Sequence, residues 1–430
     1  MINLKLFQRI VTSGVIATSA VLVSSVAKVQ AATFTLPIEA AAKATGVDVL
    51  RDSYGLDGTG ITIGVMSDSF DTSTSFNSSG KVDNYATNIA DGYLPSNIQV
   101  LEDYADPDPT VVDPNTDPID EGRAILQLIY AVAPGANFIF YTSEGGVDSF
   151  GQGIQALAAA GADIIVDDRG YVPSSIPDVP SELLDAEPPD GPINQAIDTA
   201  VNQGISYFAA AGNNFSDGIS IYGHANNPNA LTVGAVYYGN AESYSNQAFD
   251  VVVEQGELEP FSSEGNPGSQ KPDVVAPDGL PISFNLGGES RSYDDDPNFF
   301  SFFGTSASAP FTAAVAALLQ QADPSATPTE IYDALRSTAY NSSSGFDSRS
   351  GFGLIRGDQA ILALGVEPQP ITIPEPSAAP ALLCVSVLIA GLLLKRNQQR
   401  SKTIAKPTQN LALVHLRVDE LSYEPLPDAS

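Results

Sequence analysis

The chain has 430 residues, 43% of them hydrophobic, with 51 acidic side chains against 19 basic ones and a formal net charge of -32. That length and apolar content suffice for one large domain with appendages, while the acid excess repels polyanions and excludes nucleic acid as a partner. A single cysteine, Cys384, excludes an intrachain disulfide and a thiolate metal cluster, and only His224 and His415 are available to a histidine-based site.

In chain order, residues 1–31 come first. Lys5 and Arg9 precede an apolar run from Ile10 to Val26, and Val29 and Ala31 occupy the small-residue positions of a cleavage site. This pattern predicts a secretory signal peptide, hence an exported protein of the cell envelope or the exterior. About two dozen residues then precede Asp57-Gly58-Thr59-Gly60, too few for a large folding pro-domain. Residues 32–365 alternate short apolar runs with helical patterns. Strands are expected at Ile61–Met66, Ile98–Leu101, Asn137–Tyr141, Asp163–Val166, Ile205–Ala209, Leu231–Val236 and Asp273–Val275. Helices are expected at Glu121–Val132, Phe150–Ala160, Ile193–Asn202, Ser306–Gln321 and Pro328–Ser337. Apolar strands alternating with helices imply an α/β fold: a doubly wound, mostly parallel sheet with helices on both faces. Sites of such sheets gather at the carboxyl ends of the strands. Two long loops, Asp103–Ile119 and Tyr171–Pro192, interrupt the pattern.

Residues 366–377 form a proline-rich linker. An uncharged apolar run, 378–394, is at the short end for a membrane helix. Lys395, Arg396, Arg400, Lys402 and Lys406 open the segment 395–430 and would keep that side in the cytoplasm. Pro374-Glu375-Pro376, the apolar run and the basic cluster together resemble a PEP-CTERM sorting signal. The resemblance implies an exosortase-type sorting enzyme as partner and an anchor in the membrane. About thirty further residues, running to Ser430, depart from that pattern.

The strongest chemical signal is Gly304-Thr305-Ser306-Ala307-Ser308-Ala309-Pro310, followed by an alanine-rich helical pattern. A serine at a helix N-terminus sits beside unpaired amides and the positive end of the macrodipole, both useful around a nucleophile. Taken alone, such a serine is more often a cap. Its context is richer. Phe261-Ser262-Ser263, Lys271-Pro272-Asp273-Val274-Val275-Ala276-Pro277, Ala210-Ala211-Gly212-Asn213 and Val233-Gly234-Ala235-Val236 occur in order upstream. Together these segments resemble the subtilisin-like peptidases over most of residues 55–360. The resemblance implies Ser306 as nucleophile and Asn213 as oxyanion donor. Asp68, at the end of Ile61-Thr62-Ile63-Gly64-Val65-Met66-Ser67, is implied as the orienting acid.

One position departs from that family. Its His-Gly-Thr helix start is here Asp120-Glu121-Gly122-Arg123, so Glu121 stands where the histidine would be. His415 lies beyond the apolar run, and His224 is expected to be structural or exposed rather than a substitute base. Glu121 as base, with Asp68 close by to raise one apparent pKa of the pair, is workable chemistry at acid pH. It is similar to the sedolisins, which carry Glu at this place. Ile125 and Asn213 differ from the aspartates of that family. Asp163 to Gly170 resembles the substrate-pairing strand, implying that Asp167, Asp168 and Gly170 contact substrate. The two acids either bias it towards basic side chains or pair with Arg169 or Arg123. The acidic runs Glu102–Asp120 and Asp294-Asp295-Asp296 offer oxygens to calcium, but without fixed spacing a solvated loop is the better expectation. No other cofactor is expected. The sequence supports two functions: a serine endopeptidase acting on protein or peptide, and a catalytically inactive surface binding protein of the same fold.

Overall fold

The computed structural model describes residues 33–104, 118–171, 190–214, 221–239, 241–266, 268–287, 290–292, 298–341 and 345–367, with Lys395. The expected signal peptide, most of both long loops, Asp294–Asp296, the linker beyond 367, the apolar run 378–394 and His415 lie outside these. The chain divides into Met1–Gln369 and Pro370–Ser430, and the first unit contains every element named below. No helix among the described residues is long and apolar enough to cross a membrane.

The central sheet has strands β1 (Thr62–Ser67), β2 (Gln99–Glu102), β3 (Asn137–Thr142), β4 (Ile164–Asp167), β5 (Ser206–Ala210), β6 (Leu231–Tyr237) and β7 (Val274–Asp278). Their spatial order is β7-β6-β5-β4-β1-β3-β2, and every neighbouring pair is parallel. The order reverses direction around β1, which places the switch point of the sheet beside Asp68. Side chains alternate across the pleat. Ile63 and Val65 face a core shared with helices α1 (Glu121–Val132) and α4 (Thr305–Ala322). Met66 and Ile139 face a second core with α2 (Gly146–Ala159) and α3 (Pro192–Asn202). Helix α5 (Pro328–Thr338) follows α4 and starts with a capping box between Thr327 and Glu330.

Helix α4 is buried from Thr305 to Gln320. A helix apolar all round belongs in the interior, and its alanines let the backbone approach β4, β5, β6 and β7 closely. The strands fall within one or two residues of their expected bounds, except that β7 runs on to Asp278. The short helices Glu39–Thr45, Val47–Ser53, Tyr85–Asp91 and Gly357–Ala363 were not expected, because seven residues carry too little periodicity to detect. Val47–Ser53 seats against the domain. Arg51 Nη1 donates to the carbonyls of Ala131 and Val132 at 3.2 Å each, placing a cation on the negative end of α1.

Candidate active site

Asp68 directly follows β1 and is almost wholly buried. Its Oδ1 accepts the Glu121 amide at 2.8 Å, and its Oδ2 accepts the Ile119 amide at 2.8 Å and the Ser69 hydroxyl at 3.0 Å. The carboxylate thus caps the first turn of α1 from another strand and fixes the main chain of Glu121, which is half-buried. Burial pushes Asp68 up to about 6, against the pull of these hydrogen bonds. Close approach here requires glycine at 122. Its amide donates to the Ser69 carbonyl at 3.0 Å, and a Cβ there would stand 2.7 Å from that oxygen and 2.3 Å from the Phe140 ring.

A buried charged network holds this turn. Asp120 adopts a left-handed backbone (φ 60°), a conformation aspartate tolerates better than most residues. Its Oδ1 accepts the amides of Thr72 and Ser73 at 2.9 Å each, and its Oδ2 accepts Arg123 Nη2 at 2.9 Å. Arg123 also donates to Asp83 at 2.7 Å, to Asn88 at 2.8 Å and to the Phe70 carbonyl at 3.0 Å, and it lies 3.9 Å over the Phe284 ring. Arg123 therefore pairs with acids behind α1, away from the expected Asp167 and Asp168.

The start of α4 is built differently. Gly304, its N-cap, has φ 111° and no side chain. The amide and hydroxyl of Thr305 donate to Asn213 Oδ1 at 2.9 and 3.0 Å, and the Gly212 amide donates to the Thr305 hydroxyl at 3.0 Å. Anchoring Oδ1 turns Asn213 Nδ2 towards Gly304. A Cβ on Gly304 would lie 3.0 Å from Nδ2 and 3.6 Å from the Ser306 amide nitrogen. Glycine at 304 therefore leaves Asn213 Nδ2, and beside it the Ser306 amide nitrogen, uncovered by a side chain. Ser306, in the first turn, is largely buried. Pro310 removes the amide that would bond the Ser306 carbonyl four residues back.

Asp168 connects the two helix starts. It accepts the Ser67 hydroxyl at 3.1 Å, beside Asp68. It also lines a pocket of about 180 Å³ with Gly170, Ala211, Asn213, Tyr222 and Thr305. Burial pushes Asp168 up to about 7, with further contributions from the charges of Asp68 and Asp167. Arg169, on the same wall, pairs with Glu144 at 2.6 Å.

The structure thus brings Asp68, Glu121, Asp168, Gly170, Asn213 and Ser306 to the carboxyl end of the sheet. Asp167 is not with them. Strand alternation turns it to the opposite face, where its Oδ1 meets His224 Nε2 at 3.0 Å. His224 is buried, 5.2 Å from the Phe150 ring centroid, which is the structural placement expected for it. Ile125 is buried in the core. No cluster of three or more metal-ligating side chains occurs among the described residues. Ser67, Thr305 and Asp120 hold the site although none of them had a role of its own in the sequence motifs. The one signal was that each directly neighbours a marked residue.

A family model described as Subtilase family, Peptidase S8, matches residues 112–353, a span that includes Glu121, Asn213 and Ser306 and begins after Asp68. Serine protease AprX of Bacillus subtilis (strain 168) is 32% identical over 157 residues, covering 34% of this chain and 33% of that protein. The chain thus matches about a third of that relative's length. Among solved structures, the PatG macrocyclase in complex with peptide aligns with TM-score 0.53 at 17% identity, over 78% of this chain and all of that one. A lanthipeptide protease aligns with TM-score 0.52 at 16% identity, over 76% and 95%. The prenylagaramide maturation protease PagA aligns with TM-score 0.50 at 20% identity, over 74% and 98%. These likenesses establish the fold. Because the family model spans more than half of the chain, including the helices that start at Glu121 and Thr305, the protein belongs to the subtilase family of serine peptidases.

Proposed function

We propose that the protein is an exported serine endopeptidase with an acid-shifted catalytic site. The Ser306 hydroxyl attacks the scissile carbonyl while Glu121 accepts its proton. The acyl-enzyme forms as Glu121 returns that proton to the leaving amine, and water repeats the cycle. Asp68 holds the Glu121 main chain, and its nearby carboxyl keeps one proton available to the pair. The oxyanion takes hydrogen bonds from Asn213 Nδ2 and the Ser306 amide. The observation that carries this reading is that Asn213 Nδ2 and the Ser306 amide nitrogen both lie beside Gly304, with no side chain to cover them, at the head of the helix that bears Ser306.

A fluorophosphonate probe tests it. Ser306 should label between about pH 3 and 6, in the range where carboxylates titrate, and both labelling and casein cleavage should be lost in Glu121→Gln. Absence of labelling at every pH from 3 to 8 supports the second reading, a catalytically inactive subtilisin-fold surface binding protein. The replacement of histidine by Glu121 is the observation in its favour.

The pocket beside Asn213 would take the side chain before the scissile bond, and the carboxyl of Asp168 on its wall, uncharged at acid pH, would meet it as a hydrogen-bonding group. Export through residues 1–31, sorting through Pro374-Glu375-Pro376 by an exosortase-type enzyme, and anchoring by residues 378–394 belong to the same proposal and rest on residue pattern. Deleting residues 374–430 should move the protein from the cell envelope to the medium, and an unchanged distribution would remove that part.

A further inference from the structure

The pocket of about 180 Å³ is bounded by two strand ends and one tyrosine. Asp168 to Gly170, after β4, form one wall, and Ala210 to Asn214, at the end of β5, form the other. Tyr222 spans them. It lies against the main chain of Gly170, where a Cβ would come within 2.9 Å of its ring and 3.1 Å of its hydroxyl oxygen. On the other wall, Asn214 Nδ2 donates to that hydroxyl at 3.2 Å, and the Asn214 amide donates to Ser263 Oγ at 3.1 Å. The hydroxyl is thus held from both sides. A tyrosine oxygen that accepts from an amide still has its own hydrogen to donate, and that of Tyr222 meets no acceptor among the described residues. Burial pushes the phenol up from its ordinary value, so the hydrogen stays in place through the acid range. Asp168 Oδ2 accepts the Ser67 hydroxyl, while its Oδ1 has no hydrogen bond among the described residues. The cation on this wall is committed, since Arg169 pairs with Glu144 at 2.6 Å. Ala210, Ala211 and Ala225 add only apolar surface.

We propose that Tyr222 is a specificity-determining residue and that, together with Asp168, it selects a carboxamide side chain, glutamine or asparagine, for this pocket. Placing that side chain directly before the scissile bond rests on the reading of Ser306 as nucleophile, whereas the binding preference itself does not. A carboxamide carries an acceptor and two donors on adjacent atoms. Its oxygen takes the Tyr222 hydrogen. The Asp168 carboxyl, which burial raises to about 7, pairs with the amide whether it is protonated or ionised, because the amide both donates and accepts. A hydrocarbon side chain of the same size would strip water from both groups and return no hydrogen bond, and that unpaired state is the larger penalty. Lysine brings no acceptor for the Tyr222 hydrogen. Glutamate would shed its water for a guanidinium already paired with Glu144.

Fluorescence anisotropy tests the preference without requiring activity. The protein is Ser306→Ala, and the probes are labelled alanine-based peptides that differ only in one central residue: Gln, Leu, Lys or Glu. At about pH 5, below the range in which Asp168 ionises, the Gln peptide should bind about tenfold more tightly than the Leu peptide. Tyr222→Phe in the same background should weaken Gln binding about five- to tenfold and leave Leu binding within about twofold. Asp168→Ala should weaken Gln binding in the same way, and Asp168→Asn, which keeps a donor and an acceptor, should restore it. Equal binding of Gln and Leu, tighter binding of Lys or Glu than of Gln, or no binding of any peptide overturns the proposal. An equal loss for Gln and Leu in Tyr222→Phe overturns the role of its hydroxyl. Cleavage of the same peptides by the wild-type protein separates the two readings. Cleavage of Gln and Leu peptides at equal rates keeps the enzyme and removes the preference. Gln-selective binding with no cleavage at any pH keeps the pocket and removes the nucleophile.

Discussion

The helices that begin at Glu121 and at Ser306 start at the same end of the sheet and are held by opposite means. The first is braced by charge. Asp68 caps its amides, Asp120 bends the chain into it, and Arg123 ties both to the segment carrying Asp83 and Asn88. The second is braced mainly by neutral groups, a glycine cap, an asparagine whose oxygen is spent on Thr305, and a bed of alanines, with one buried carboxyl, Asp278, on the amide of the capping Gly304. A carboxylate on the amides of a helix start neutralises the positive end that attracts anions. On the proposed mechanism the Glu121 end can be neutralised because it handles protons. The Ser306 end must stay positive if it is to receive a developing negative charge.

The largest effect should come from breaking the charged brace. Arg123→Met keeps most of the side-chain volume but strands Asp83 and Asp120 without their cation. It should lower unfolding stability by about 3–5 kcal/mol in a urea titration, and a loss below about 1 kcal/mol would mean that the network is decorative. The neutral brace should fail in the opposite way. Asn213→Ala should cut kcat by about a hundredfold or more with little change in unfolding midpoint, since Asn213 is exposed. A variant that lost stability and not rate would reverse the comparison. Thr305→Val removes the hydroxyl that anchors Asn213 and accepts from Gly212. We expect a smaller loss, about 1 kcal/mol of stability, accompanied by a fall in kcat that leaves KM unchanged.

A further effect, set by pH, concerns the carboxyl between the two helix starts. Asp168 is raised to about 7 in the folded protein, while the unfolded chain titrates near the ordinary value of about 3.9. Between those values the folded state binds more protons, so the stability contributed by Asp168 is fully present below about pH 4 and is lost as pH rises to about 7. Asp168→Asn should therefore gain thermal stability relative to the wild-type protein across that window and show a constant difference above it. Parallel melting curves from pH 4 to 7 would remove Asp168 from the pH response.

Much of this was legible in the residues. The strands showed as apolar runs because both faces of a parallel sheet are buried. Glu121–Val132 showed its bounds because a polar start and a 3.6-residue stripe agree. Ser306, Asn213, Asp68 and Glu121 stood out as motif positions. Asp167 and Asp168 could not be separated, because adjacency in a strand says that two side chains point to opposite faces and not which face holds the site. Arg123 looked equally able to pair with several acids until the fold chose Asp83 and Asp120.

The sequence by itself therefore determined the periodic elements, their order, and the chemical types gathered at the nucleophile and base positions, all of which depend on near neighbours along the chain. Tertiary structure decided the partners. Which carboxylate meets an amide, an arginine or a histidine depends on distances across the sheet. In the interior those distances, through burial and the proximity of charge, decide where each proton resides.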